Sequence, residues 1–315
     1  MWSGIASIVP LAMAYMAPML IIALGGIFSE RSGIANIALE GLMGVGAFAA
    51  AYTIYILYPS MGNSSVWVGL IAAALCGGLL SLLHAFASIN MNADQVISGT
   101  AVNILSSAIT VFLARSLTGS GTIQIVRGFI KKDVPLLSKI PVLGLLFKNA
   151  YPTTYVALLI LFISWYVLYY TPFGLRLRSC GENPHAAASL GIDVKGIRYA
   201  GVILSGILSG LGGGIVIVTY SGEFSSIIYS GLGYLALAAV IFGQWNPWGV
   251  LGATAFFGLA KTAADMSKLF ARLNNMPNII FNTFPYVATI IALMLFSKNA
   301  VGPRASGEPY DPGKR

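Results

Sequence analysis

Residues 173–196 read FGLRLRSCGENPHAAASLGIDVKG. This charged, alanine-studded stretch lies between two apolar runs, 151–171 and 199–220, each long enough to cross a bilayer. The chain therefore reads as membrane-spanning, with a water-facing loop near its middle. Pro172 ends the preceding span, Arg176 and Arg178 follow at the membrane surface, and Gly181 terminates the local turn. Asn183-Pro184 is a helix start, with Asn as N-cap and Pro at the first helical position. Residues 185–190 continue it, and Gly191 stops it. A plain solvated loop has no need of three alanines on a capped helix. Small side chains let another protein approach closely, so the stretch reads as a docking helix for a soluble partner.

Composition supports the membrane reading. Of 315 residues 57% are hydrophobic and 9% charged, with a mean hydropathy of +0.81. A soluble domain carries about 25% charged residues, so most of this surface must face lipid. The net charge of +8 is read as an orientation signal and not as a nucleic-acid footprint. Cys76 and Cys180 are distant in sequence and differ in surroundings, which predicts free thiols. No Lys or Arg precedes Arg31, unlike the basic start of a cleavable signal, so the first apolar run is expected to stay in the mature chain.

Spans are expected at 5–28, 37–58, 66–89, 96–117, 151–171, 199–220, 248–267 and 279–297. A ninth run, 233–245, is short and Gly-rich, and reads either as a span or as a re-entrant segment. The expected fold is an all-α polytopic bundle of about 9–10 transmembrane helices in one domain, 1–315. Arg31 follows the first span directly, which places the N-terminus outside and the C-terminus, with Lys298, Arg304, Lys314 and Arg315, in the cytoplasm. The 172–198 loop is then cytoplasmic. The 118–150 loop is external despite five basic residues, and its apolar piece 141–147 is too short to span.

Polar side chains in spanning helices usually face a bundle interior or a cavity. Three segments carry them four apart, hence on one helical face: Asn36 with Glu40, Gln95 with Asn103 flanking Gly99, and Asn278 with Asn282. Neutral amides suit a polar, uncharged solute. Two readings stand: a solute pathway lined by Asn36, Glu40, Gln95, Asn103 and Asn282, or interhelical tethers. Glu40 leans toward a tether, Asp94 and Asp265 are expected to be wet, and His84 reads as an interhelical histidine. The sixth span, with Gly206, Gly210 and Gly214, reads as a close-packing helix. The two histidines have no metal-ligand cluster around them, no Gly-x-Ser-x-Gly elbow occurs, and Lys261-Thr262 fails the phosphate-loop pattern. A catalytic subunit is not expected.

Four motifs in order resemble one family. FGLRLRSCGENPHAAASLGI is similar to the cytoplasmic loop of ABC-importer permeases of the branched-chain amino acid, ribose and nucleoside group. ERSGIANIALEGLMGVGAF (30–48) resembles the signature of that group's nucleoside and simple-sugar branch, with Ala38 where glycine is frequent. DQVISGTAVNIL (94–105) resembles its fourth-helix segment. GYLALAAVIFGQWNPWGVLGATAFFG (233–258) resembles its Gly-x-x-Asn-Pro-x-Gly segment through Gly243, Asn246, Pro247 and Gly249. The resemblance covers nearly the whole chain and is closest to the shorter of two paired permeases. It implies a bacterial plasma-membrane subunit partnered by a homologous second permease, a cytoplasmic ABC ATPase that binds the ATP, and an extracytoplasmic lipoprotein that captures a nucleoside. It also implies that Gly181, Glu182, Asn183, Ala187 and Gly191 form the ATPase contact. A sugar or a branched-chain amino acid as solute, a stand-alone channel or secondary carrier, and a membrane scaffold are the competing expectations.

Overall fold

The computed structural model describes residues 2–133, 147–227, 230–267 and 302–311, with Thr283, Val287, Ile290 and Gly313 as single positions and 2–7 as backbone alone. In chain order the helices are α1 (Trp2–Arg31), α2 (Leu39–Met61), α3 (Ser65–Ile89), α4 (Gln95–Thr118), α5 (Pro152–Tyr170), α6 (Pro172–Glu182), α7 (Pro184–Ser189), α8 (Val194–Val216), α9 (Leu232–Phe242) and α10 (Pro247–Ser267). Among the described residues, five apolar stretches have the length to cross a membrane. One of them, Leu39–Ile89, contains α2 and α3. A short 3₁₀ turn, Gly62–Ser64, folds these two helices back on one another. The chain is thus an all-α, multi-pass bundle, and its spans fall within a few residues of the expected ranges. The 279–297 span and Asn278 and Asn282 lie outside the described residues, apart from the three single positions, and so does 141–146.

α8 sits at the centre, against α1, α2 and α3. Lipid tails are as apolar as leucine, so helices in a membrane gain little by burying hydrophobic groups against each other, and close contact must supply the attraction. The glycines of α8 allow that contact on each face. A β-carbon on Gly213 would lie 2.0 Å from the Met43 carbonyl of α2, and one on Gly210 would lie 2.3 Å from the Ala73 carbonyl of α3. On the α1 side, a β-carbon on Gly212 would meet Ile22 at 2.4 Å. The expected packing role of this helix is the observed one.

The last turn of α8 widens into a π-helical segment, Ile217–Ser221. There the two-residue strands β1 (Ile123–Gln124) and β2 (Glu223–Phe224) pair antiparallel, with Ile123 opposite Phe224. This marks one end of the bundle. Arg31, α6, α7, the start of α8 and the segment 302–311 gather at the other.

α9 resolves the reading of 233–245. Its 11 residues cover about 17 Å at 1.5 Å per residue, against about 30 Å of hydrocarbon. It is a half-length helix, packed on α1, α2 and α10. It ends in a tight turn where Gln244 and Trp245 both adopt φ +52°, a conformation rare outside glycine.

Candidate functional site: a broken helix tied to a surface helix

Between α1 and α2 the chain does not run as a helix: residues 32–38 form an irregular break packed inside the bundle. Backbone polar groups at such a depth need partners, because lipid offers none. The amides and the histidine singled out in the sequence supply them. Gln95 of α4 accepts from the Ala35 N–H at 2.6 Å. The ring of His84 in α3 lies 3.2 Å from the Ala35 carbonyl through Nε2 and 3.0 Å from Ser98 Oγ through Nδ1. Asn36 accepts from the Ala38 N–H at 3.1 Å and donates to Ser205 Oγ of α8 at 2.8 Å.

Asn103 completes the set. The first turn of any helix leaves N–H groups without partners, and Ala38, at the cap position of α2, has no side chain that could help. Asn103 reaches across from α4, accepts from the Gly41 N–H at 2.7 Å, and donates to the Ile37 carbonyl at 2.9 Å. Gly99 allows this approach: a β-carbon there would stand 3.1 Å from Ala38 N.

Glu40 caps the second broken element. Its two carboxylate oxygens accept from the Gly231 and Gly233 N–H groups, each at 2.6 Å. A negative group at a helix N-terminus is favoured by the helix dipole, so Glu40 fixes where α9 begins. Asn36, Glu40, Gln95 and Asn103 are therefore brought together, and their hydrogen bonds go mostly to backbone. Each makes the kind of bond a tether makes. Of the side-chain atoms of these four residues, Gln95 Nε2 is buried without a partner among the described residues. Asn282 lies outside those residues.

At the Arg31 end the break connects to the surface loop. α7 shows the expected capping, Asn183 Oδ1 accepting from the Ala186 N–H at 3.0 Å, while α6, which was not expected as a helix, is capped by Thr171 Oγ1 accepting from the Gly174 N–H. Gly191 adopts φ +79° in open space, as a helix-stopping glycine should. Gly181 is a correction. It does not end a turn but lies inside α6, buried, where a β-carbon would be 2.3 Å from the Arg31 carbonyl. Beside it, Arg31 Nη1 and Glu182 Oε1 are 3.7 Å apart.

The five residues expected to contact a partner thus divide. Glu182, Asn183 and Gly191 are exposed. Gly181 and Ala187 face inward, Ala187 in a small apolar cluster with Cys180 and Val194. The outward face of α7 is instead His185, Ala186 and Ser189, followed by Leu190, which is 81% exposed. Sequence reasoning passed over Leu190, although a bare leucine beside a helix stop was a visible signal. A cleft of about 460 Å³ lies beside it, lined by Arg176, Asp193 and Gly196 among others. Burial raises the Cys180 thiol pKa against the lowering pull of Arg198.

The contacts of Trp245 escaped the sequence reading. The Trp245 indole donates to the Glu30 carboxylate, and its carbonyl accepts from Arg31 Nε at 3.3 Å. Asp265, expected to be wet, accepts from the Tyr15 hydroxyl at 2.6 Å and lies 3.8 Å from Lys261 Nζ. The Glu30–Trp245 and Tyr15–Asp265 partners lie far apart in the chain and leave no local mark in sequence, unlike the i,i+4 pair Lys261–Asp265.

Comparison with known proteins gives this arrangement a family. The chain is 44% identical over 310 residues to the guanosine ABC transporter permease protein NupQ of Bacillus subtilis strain 168, covering 98% of this chain and 97% of that one. It is 42% identical over 298 residues to the nucleoside ABC transporter permease protein NupC of Lactococcus lactis subsp. cremoris strain MG1363, covering 94% of both. The guanosine ABC transporter permease protein NupP of B. subtilis is 25% identical over 254 residues, covering 79% of this chain and 71% of that one. Residues 9–295 match the family described as the branched-chain amino acid transport system / permease component, and the chain belongs to that family of membrane permeases.

Proposed function

We propose that this chain is the membrane-spanning permease of an ATP-driven nucleoside importer, located in the bacterial plasma membrane. The observation that carries the reading is its near-full-length identity to NupQ and NupC. Its partners are a homologous second permease, a cytoplasmic ABC ATPase that hydrolyses the ATP, and an extracytoplasmic lipoprotein that delivers the nucleoside. Similarity to both NupQ and NupP supports pairing of two different permeases.

The geometry suits this role. The ATPase docks on α7 and Leu190, in the cytoplasm together with the C-terminal segment, and the N-terminus lies outside. Closure of the ATPase displaces α7 and α6. The Gly181–Arg31 contact and the Arg31–Glu182 pair pass the displacement to the last turn of α1. From there Glu30 and Trp245 carry it to the turn before α10, and Glu40 links α2 to the start of α9. Two broken elements thereby respond to one push, as expected of a helical bundle that changes access. A nucleoside is uncharged and rich in hydrogen-bonding groups, so it crosses without carrying a charge through the bilayer.

The test is gentle affinity isolation of the chain from native membranes, with mass spectrometry of what accompanies it. Co-isolation of an ABC ATPase and a second permease, lost on Leu190→Glu, is the expected result. Isolation of the chain alone as a stable homo-oligomer would overturn the reading.

A further inference from the structure

The C-terminal segment 302–311 does not hang free but crosses the inner face of the α6–α7 loop. Its Ala305 N–H donates to the Gly181 carbonyl at 2.8 Å, a group in the last turn of α6 that would otherwise lack a helical partner. Gly302 packs on the Trp245 indole. The Tyr310 ring lies 5.2 Å from the His185 ring of α7, and the Arg198 guanidinium is 5.9 Å from its centroid. Arg198 itself, at the head of α8, is 1% exposed. It donates from Nη1 to the Glu308 carbonyl at 3.1 Å, while Nε and Nη2 have no partner among the described residues. One strap of about ten residues thus touches α6, α7, α8 and the turn before α10.

A buried guanidinium held by a single carbonyl depends heavily on that carbonyl. The seat of α7 is correspondingly thin: a small apolar cluster of Cys180, Ala187 and Val194, against which Tyr310 packs. A helix of six residues has little rigidity of its own. Force applied to its outer face reaches the spans only if its inner face is held.

We propose that residues 302–310 are a positioning strap that makes α6, α7 and the head of α8 move as one body, with Tyr310 and Arg198 as its fastening. The proposal rests on the reading of α7 as the ATPase dock. Removing the fastening leaves Ala186, Ser189 and Leu190 on the outer face of α7 untouched, so the ATPase still binds and turns over while less of its motion reaches the spans.

The test uses the complete complex of both permeases, ATPase and binding lipoprotein in proteoliposomes, with uptake of radiolabelled guanosine and ATP hydrolysis measured together. Tyr310→Ala and a chain ending at residue 301 should keep their ATP turnover. Guanosine moved per ATP should fall about tenfold, the scale of losing the contact of a desolvated guanidinium with an aromatic ring. Tyr310→Phe, which keeps the ring, should restore the ratio. If the truncated chain fails to insert, the Ala and Phe variants decide alone. An unchanged ratio in Tyr310→Ala would overturn the proposal, as would a loss of uptake that merely tracks loss of assembled complex. A wild-type complex without ATP-dependent guanosine uptake would instead overturn the functional reading and this proposal with it.

Discussion

Glu40 shows how one side chain sets a helix in place. It is the acceptor for two backbone N–H groups at the start of α9, and leaving a buried donor unpaired costs about 1–3 kcal/mol. Glu40→Ala should therefore lower the thermal midpoint in detergent markedly, and Glu40→Gln, which keeps one acceptor oxygen, should lower it less. Equal midpoints for Ala and wild type would remove Glu40 from its capping role. Gly181 and Gly191 make a contrasting pair in one loop. Gly181→Val must push α6 off the Arg31 carbonyl, so uptake should be lost while helical circular dichroism stays unchanged. Gly191→Ala meets open space, but its φ of +79° is strained for any side chain, by about 1 kcal/mol. It should reduce stability slightly and leave most transport. The Arg31–Glu182 pair is half-exposed on the glutamate side and adds little stability. Its reversal, Glu182→Lys, should leave the thermal midpoint unchanged and lower uptake.

At the scale of elements, α6 and α7 form a small body whose interior is Cys180, Ala187 and Val194. Cys180 is fully buried and its thiol is pushed up by that burial, so thiolate is scarce. In membranes at neutral pH it should resist a water-soluble maleimide, and Ala187→Asp, which opens the cluster, should make it react within minutes. Rapid labelling of the wild type would contradict the packing. The spans and the α7 caps were legible in the sequence because hydropathy and capping are local properties, read within one or two turns. The break at 32–38 was not, and 37–58 read simply as a span. Its backbone is satisfied by His84, Gln95 and Asn103, 49 to 66 residues away, and no local pattern announces such pairings. For the same reason the partners of Asn36 and Asn103, in the backbone of the break and on α8 and α9, could not be named from the sequence. Gly181 was misread because a glycine that admits a neighbouring carbonyl and one that ends a turn look alike in one dimension. The strap 302–310 served only as a topology signal, since nothing in its composition names α8 as its seat.

The whole molecule is a close-packed central helix, α8, surrounded by elements of two kinds. α3 and α4 are continuous apolar rods. The α1–α2 junction and α9 are broken, and their loose ends are held by side chains. A broken element costs hydrogen bonds to maintain, and under the proposed function its place at the end that carries α7 is where the push of the ATPase arrives. Uptake should then depend on ATP and on the dock together. The most direct measurement is radiolabelled guanosine uptake into proteoliposomes holding both permeases, the ATPase and the binding lipoprotein. It should be run with ATP or with a proton or sodium gradient, for wild type and Leu190→Glu. Uptake is expected with ATP alone, and abolished by Leu190→Glu. Gradient-driven uptake by this chain without the ATPase, unaffected by Leu190→Glu, would contradict it.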